Sequence, residues 1–332
     1  MASNLQLYPK AYFNWIRLKK ENNPSFPVEP WQVEDYREAS METLFDRLAA
    51  LGLTLTEENF LLMAENYQSP EELTHYFWSK KENEFPIYLI LFELWRRLLP
   101  DRESLSIFCD ELDNRIQSYL KDPSQDHGLS NTMDRLEELL EESTNLGEGP
   151  RAIFAMLSRH VAHDLEGFLF DYISDQIDAR HDLEATEWLK TFYPYVSDTT
   201  CFDFLRARLL ILADAHEGNL AFKKLLTELQ AAPDLDLSLE ISAFLVHHGD
   251  PFLFQKAAKL CINQIQTEED FQELLAIVAD YCHFVEKDSE EQQIQSIFSK
   301  RMGLSTPTKL KADDPDVAFL RQILENPDWA KI

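Results

Sequence analysis

Along most of the 332-residue chain, apolar residues recur at three- and four-residue intervals, the spacing that lines one face of an α-helix. They seldom alternate with polar residues in the period of two that a half-buried strand requires. Helix start signals punctuate the pattern. Ser69-Pro70-Glu71-Glu72 joins a capping hydroxyl, a proline at the first helical position and a carboxylate three residues after the cap. Pro30, Thr56, Asp101, Asp250 and Thr267 repeat parts of that arrangement. The pattern predicts helices over Leu5–Lys20, Trp31–Leu51, Glu57–Tyr67, Pro70–Lys80, Pro86–Leu99, Arg102–Leu120 and Met133–Glu142. Polar breaks at Lys121–Ser130 and Leu146–Pro150 place a domain boundary there. A long helix from Arg151 to about Ala179 follows, with Ile153, Leu157, Val161, Leu165, Phe168 and Tyr172 on one stripe.

Beyond it the pattern predicts hairpin-like pairs, Asn219–Ala231 with Leu235–His247 and Pro251–Ile265 with Glu268–Val285. Turns at Glu217-Gly218-Asn219 and His248-Gly249-Asp250 recur about 31 residues apart, a period at which helical-repeat units are built. Leu212-Ala213, His216, Gly218 and Pro233 give the second half a resemblance to tetratricopeptide-like helical repeats, over Leu183–Phe298 at most. The departures are His216 in place of the family's aromatic, Lys223 in place of its alanine, and a turn about two residues too short. The resemblance implies a small residue where two helices approach and a concave surface for a peptide or partner helix. It implies no chemistry. The expected architecture is all-α, with antiparallel helix pairs stacked as an α-solenoid-like array in two helical subdomains, 1–145 and 149–302. Residues 303–332 are read as a linker and a short terminal helix, Asp316–Glu325, with Trp329 near the end folding back onto its own protein.

Composition sharpens this picture. Hydrophobic residues make up 45% and aromatics 12% of the chain, so it can build a large core, and only 8 glycines are available for turns. The formal net charge of −28 repels phosphate backbones and anionic lipid, and favours basic partners over acidic ones. Lys19-Lys20, Lys80-Lys81, Arg96-Arg97 and Lys300-Arg301 are scattered among acids and make no stripe for nucleic acid. The most apolar stretch, Ile87–Leu99, is shorter than the ~20 residues that span a bilayer and is interrupted by Glu93, Arg96 and Arg97. It reads as a buried helix, with no membrane insertion. Cys109, Cys201, Cys261 and Cys282 form no CxxC pair and read as buried reduced thiols. With no basic-then-apolar leader at the N-terminus, the expected location is cytoplasmic.

Candidate chemistry is sparse. GxSxG, GxxxxGK[ST], HExxH and GxGxxG are all absent. Imidazole plus carboxylate at His160, His163 and Asp164 is a donor set suited to iron, manganese or zinc, and on one continuous helix His160 and Asp164 share a sector with Asp171, Asp175 and Asp178. No second helix carries a matching ligand pattern, so a solvated acidic rim is the competing interpretation. His247 and His248 precede a turn and suit a helix C-cap. Tyr76-Phe77-Trp78 and Phe202 with Phe204 read as core aromatics. No cofactor is expected. The leading expectation is a non-enzymatic scaffold, adaptor or chaperone that binds a protein or peptide partner, with basic partners favoured, between helices near Phe202, Arg206, Phe222, Phe252 and Phe254. A helical-bundle metalloenzyme built on His160, His163 and Asp164, or an acidic mimic of nucleic acid, is the alternative.

Overall fold

The computed structural model describes residues 7–77, 84–123, 128–305, 307–311, 313–326 and 329. Among these the fold is all-helical: α1 (Pro9–Asn22), α2 (Met41–Ala50), α3 (Glu57–Ala64), α4 (Pro70–Phe77), α5 (Glu84–Leu98), α6 (Leu105–Lys121), α7 (Leu129–Asn145), α8 (Pro150–Ser158), α9 (Leu165–Asp178), α10 (Asp182–Phe192), α11 (Thr199–Ala213), α12 (Ala215–Ala231), α13 (Leu235–Leu245), α14 (Pro251–Ile262), α15 (Glu268–Phe284), α16 (Asp288–Arg301) and α17 (Pro315–Glu325). Two single 3₁₀ turns, Pro30–Gln32 and Tyr36–Glu38, precede α2. The one β feature among the described residues is an antiparallel bridge between Thr267 and Lys309. No described helix is long and apolar enough to cross a membrane.

The chain divides into two compact units, residues 1–169 with 194–196 and residues 170–193 with 197–332, so the division falls inside α9 rather than at the Leu146–Pro150 break. In the first unit α5 is the central rod. Every residue from Ile87 to Trp95 is buried, including Glu93, whose carboxylate is held by Arg96 and Arg97. Phe13, Leu44, Leu48, Phe60 and Leu73 pack around that rod. In the second unit the helices pair antiparallel as α11/α12, α13/α14 and α15/α16, and successive pairs stack as an α-solenoid-like array. The predicted pairs α12/α13 and α14/α15 are therefore out of step by one helix.

That correction has a local cause. Asp214 alone separates α11 from α12, ending one and capping the other by accepting from the His216 and Glu217 amides. Gly218 is not in a turn. It lies buried within α12, where a Cβ would stand 2.3 Å from Cα of Ile211 on α11, so it is the small residue at a close helix approach. The turn at Gly249 is as expected, with φ at +92°.

Two other predicted helices are broken by distant side chains. Trp31–Leu51 holds most of the first 3₁₀ turn, the second turn and α2, because Arg97 takes the carbonyls of Arg37 and Ala39 and shares that of Tyr36 with the Ala39 amide of the second turn. Ser40 then starts α2 by accepting from Thr43. Arg151–Ala179 is α8 and α9, interrupted at Arg159–Asp164. The buried carboxylate of Asp113 on α6 accepts from the Ala162 and His163 amides, at 2.8 and 3.3 Å, which a continuous helix would direct to carbonyls four residues back. Asp164 then caps α9 through the Gly167 amide. The start predicted at Asp101 is at Leu105 instead, where Ser104 supplies the capping oxygen.

The described part of the predicted linker is bonded to the second unit, Thr308 accepting from the Glu268 amide and Leu310 donating to the Gln266 carbonyl. Arg301 joins Glu268, Asp314 and Asp316 in one ion cluster, and Leu320 and Leu324 of α17 are fully buried. Trp329 is buried against Phe254 and Tyr281 of its own unit. The four cysteines are free thiols, of which Cys109, Cys261 and Cys282 are buried and Cys201 is partly so. Tyr76 is largely exposed, whereas Phe202 and Phe204 are core; Trp78 lies outside the described residues.

Candidate functional site

The first unit contains an open cleft of about 460 Å³ between the 30–36 segment, the C-terminal end of α2 and the first turns of α5. Trp31, Tyr36 and Phe85 supply aromatic walls, Leu51, Pro86 and Ile90 an aliphatic surface, and Glu34, Arg47 and Glu84 the charge. Phe85 is 44% exposed although its ring also touches Phe13, which meets Trp31 on its other contact. The volume lies within the roughly 300–1,000 Å³ typical of ligand-binding clefts.

The 30–36 wall has little regular secondary structure, and buried charges hold it in place. Arg97 donates to the carbonyl of Tyr36 at the end of this wall, and to those of Arg37 and Ala39 just beyond it, at 2.8 to 3.0 Å. Arg37 reaches inward to Asp110 at 2.7 Å and Glu111 at 2.8 Å, and Lys10 meets the same Asp110 at 2.6 Å. Burial opposes the charge on Asp110, yet Lys10 and then Arg37 hold its carboxyl well below the usual carboxylate range. Burial likewise opposes the charge on Arg37, and its two carboxylates hold it above its ordinary value. Each charge is thereby fixed at neutral pH.

On the solvent side, Arg47 bonds Glu34 at 2.5 Å and sets its guanidinium over the Tyr36 ring, 5.8 Å from the centroid. Burial, with Glu34 beside it, pushes the Tyr36 phenol up to about 12, so it remains a neutral donor. Among the described lining residues no nucleophile is paired with a base.

The residues expected to bind metal are placed differently. His160 stacks on Tyr8 at 3.8 Å, with its Nδ1 buried and unpartnered. His163 uses Nδ1 on Asp113 and Nε2 on Gln117, at 2.9 and 3.1 Å, and Asp164 is a helix cap. The three diverge, and among the described residues no group of three or more His, Cys, Asp or Glu is arranged to hold a metal ion. Breaking the long helix removed the shared face on which that expectation depended.

His160 instead predicts a pH effect. Burial, then the neighbouring Arg159, lowers its imidazole from 6.5 to about 4. The unfolded chain therefore binds the proton first, and stability present above pH 6.5 is lost as pH falls toward 4. Urea midpoints should decline through that window in the wild type, and the decline should be visibly shallower in His160→Phe, which keeps a ring against Tyr8.

Of the residues expected to line a partner groove, Phe202, Phe222 and Phe254 are core, at 1, 0 and 0% exposure, so their rings are not offered to a partner. Arg206 and Phe252 are exposed. Helical periodicity places an aromatic on an inward face without saying whether another helix covers it. His248 bonds the Phe244 carbonyl at 3.1 Å and stacks on its ring, at the C-terminal end of α13. The cleft was missed because Trp31, Glu34 and Tyr36 were assigned to one long helix. The available signal was the proline- and aromatic-bearing run Phe26–Tyr36, which lacks a helical apolar stripe.

No family model matches the chain, and searches of curated proteins and of solved structures also return no match.

Proposed function

We propose that this protein is a non-enzymatic interaction module, a scaffold, adaptor or chaperone, that holds a segment of a protein partner in the cleft of the first unit. The observation that carries this reading is a solvent-open cleft walled by Phe85 of α5, Arg47 of α2, and Trp31 and Tyr36 of a segment whose end is tied by Arg97 and by the Arg37–Asp110 pair. Trp, Tyr and Arg dominate the binding energy of protein interfaces, because large rigid groups bury much area for little lost side-chain freedom. A wall fixed in advance also lowers the ordering cost of association.

The test is photo-crosslinking in the native cell from Phe85→p-benzoylphenylalanine. One discrete protein adduct is expected, and it should vanish when Ala50→Trp fills the cleft from its exposed rim. An adduct that persists with the cleft filled, or a smear with no discrete partner, removes the cleft as the binding seat.

A further inference from the structure

We propose that the partner segment is basic, placing a lysine or arginine between Glu84 and the rings of Trp31 and Phe85 while its apolar face rests on Leu51, Pro86 and Ile90. This deepens the proposed function and rests on it. The cleft already contains one cation seat with its cation in place: Arg47, paired with Glu34 and lying over Tyr36. The same lining holds a second carboxylate, Glu84, and further aromatic surface at Trp31 and Phe85. Among the described residues no cation is paired with Glu84. An aromatic face beside a carboxylate attracts a cation twice over, through the ring quadrupole and through charge.

The remaining electrostatics favour the same sign. Arg47 is neutralised by Glu34, so the two carboxylates and one guanidinium leave the lining net negative. Ala50 and Leu51 add the C-terminal end of α2, where a helix carries partial negative charge. The opposite partial charge of the α5 N-terminus is met by Glu84 on its first turn. At longer range the chain's charge of −28 steers cationic segments inward and anionic ones away. An anionic or neutral apolar segment would bury Glu84 with only the partial charge of the α5 N-terminus to offset it, which is less favourable than burial against a cation.

The 332-residue protein is titrated with three fluorescent amphipathic peptides that share a Trp and a Leu four residues apart and differ in flanking Lys, Gln or Glu. The Lys peptide is expected to bind about tenfold more tightly than the Gln peptide, and the Glu peptide more weakly than either. Added salt should narrow the gap, and Glu84→Gln should reduce it to about threefold or less. Equal binding of Lys and Gln peptides, or a preference untouched by Glu84→Gln, overturns the basic partner while leaving the cleft as a docking site. Binding by none of the three, or binding that Ala50→Trp does not weaken, overturns the proposed function as well.

Discussion

Replacing Gly218 with alanine is expected to destabilise the protein by about 3 kcal/mol or more, although glycine in mid-helix is normally the weaker residue. The substitution gains about 1 kcal/mol of helix propensity. It also sets a Cβ 2.3 Å from Cα, 2.4 Å from Cβ and 2.6 Å from the amide nitrogen of Ile211. These atoms belong to the α11 backbone and its first side-chain carbon, so no rotamer change relieves the clash. The two helices must separate, loosening the contacts of Phe222 with Phe204 and Phe244 in the core of the second unit. Gly303→Ala is the control: nothing lies within 4 Å of its Cβ, and its effect should fall within about 0.5 kcal/mol. Urea unfolding of both variants decides the matter. A Gly218→Ala protein as stable as the wild type would show that α11 and α12 do not approach this closely.

Asp110→Ala should be comparably severe, at about 3–5 kcal/mol, because it leaves two cations in a poorly hydrated setting. Lys10 and Arg37 are only 15% and 19% exposed, and Asn14 also loses the acceptor it holds at 2.9 Å. The loss should extend to the cleft, since Arg37 belongs to the segment carrying Trp31 and Tyr36. Lys224→Ala, which breaks an exposed pair with Glu228 at 3.5 Å, should change stability by no more than about 0.5 kcal/mol. Urea midpoints measured alongside peptide binding would separate a structural charge network from incidental surface pairs. If Asp110→Ala unfolds like Lys224→Ala, the wall is not held as described.

Much of the fold was legible in local signals. Capping by Thr56, Asp250 and Thr267, proline at the first turn of α14, and the apolar run of α5 each act within a few residues of where they are written. The misreadings share a different cause. The helix through Arg151–Ala179 has an unbroken apolar stripe, and it is interrupted by a carboxylate about 50 residues away in sequence, on Asp113. The helix through Trp31–Leu51 is interrupted by Arg97, about 60 residues away. The candidate site followed these errors: His160 and Asp164 shared a face only on an unbroken helix, and Trp31, Tyr36 and Phe85 meet only because one was broken.

By itself, then, the sequence determined that the chain is helical, where most of its rods begin, that α5 is buried and that the surface is strongly acidic, because propensity, capping and charge act over one or two turns. Tertiary structure decided where rods break, which neighbours pair, which aromatics are core and which remain open. Those outcomes depend on side chains far apart along the chain competing for the same backbone amides, carbonyls and apolar area, and no local pattern records who wins that competition.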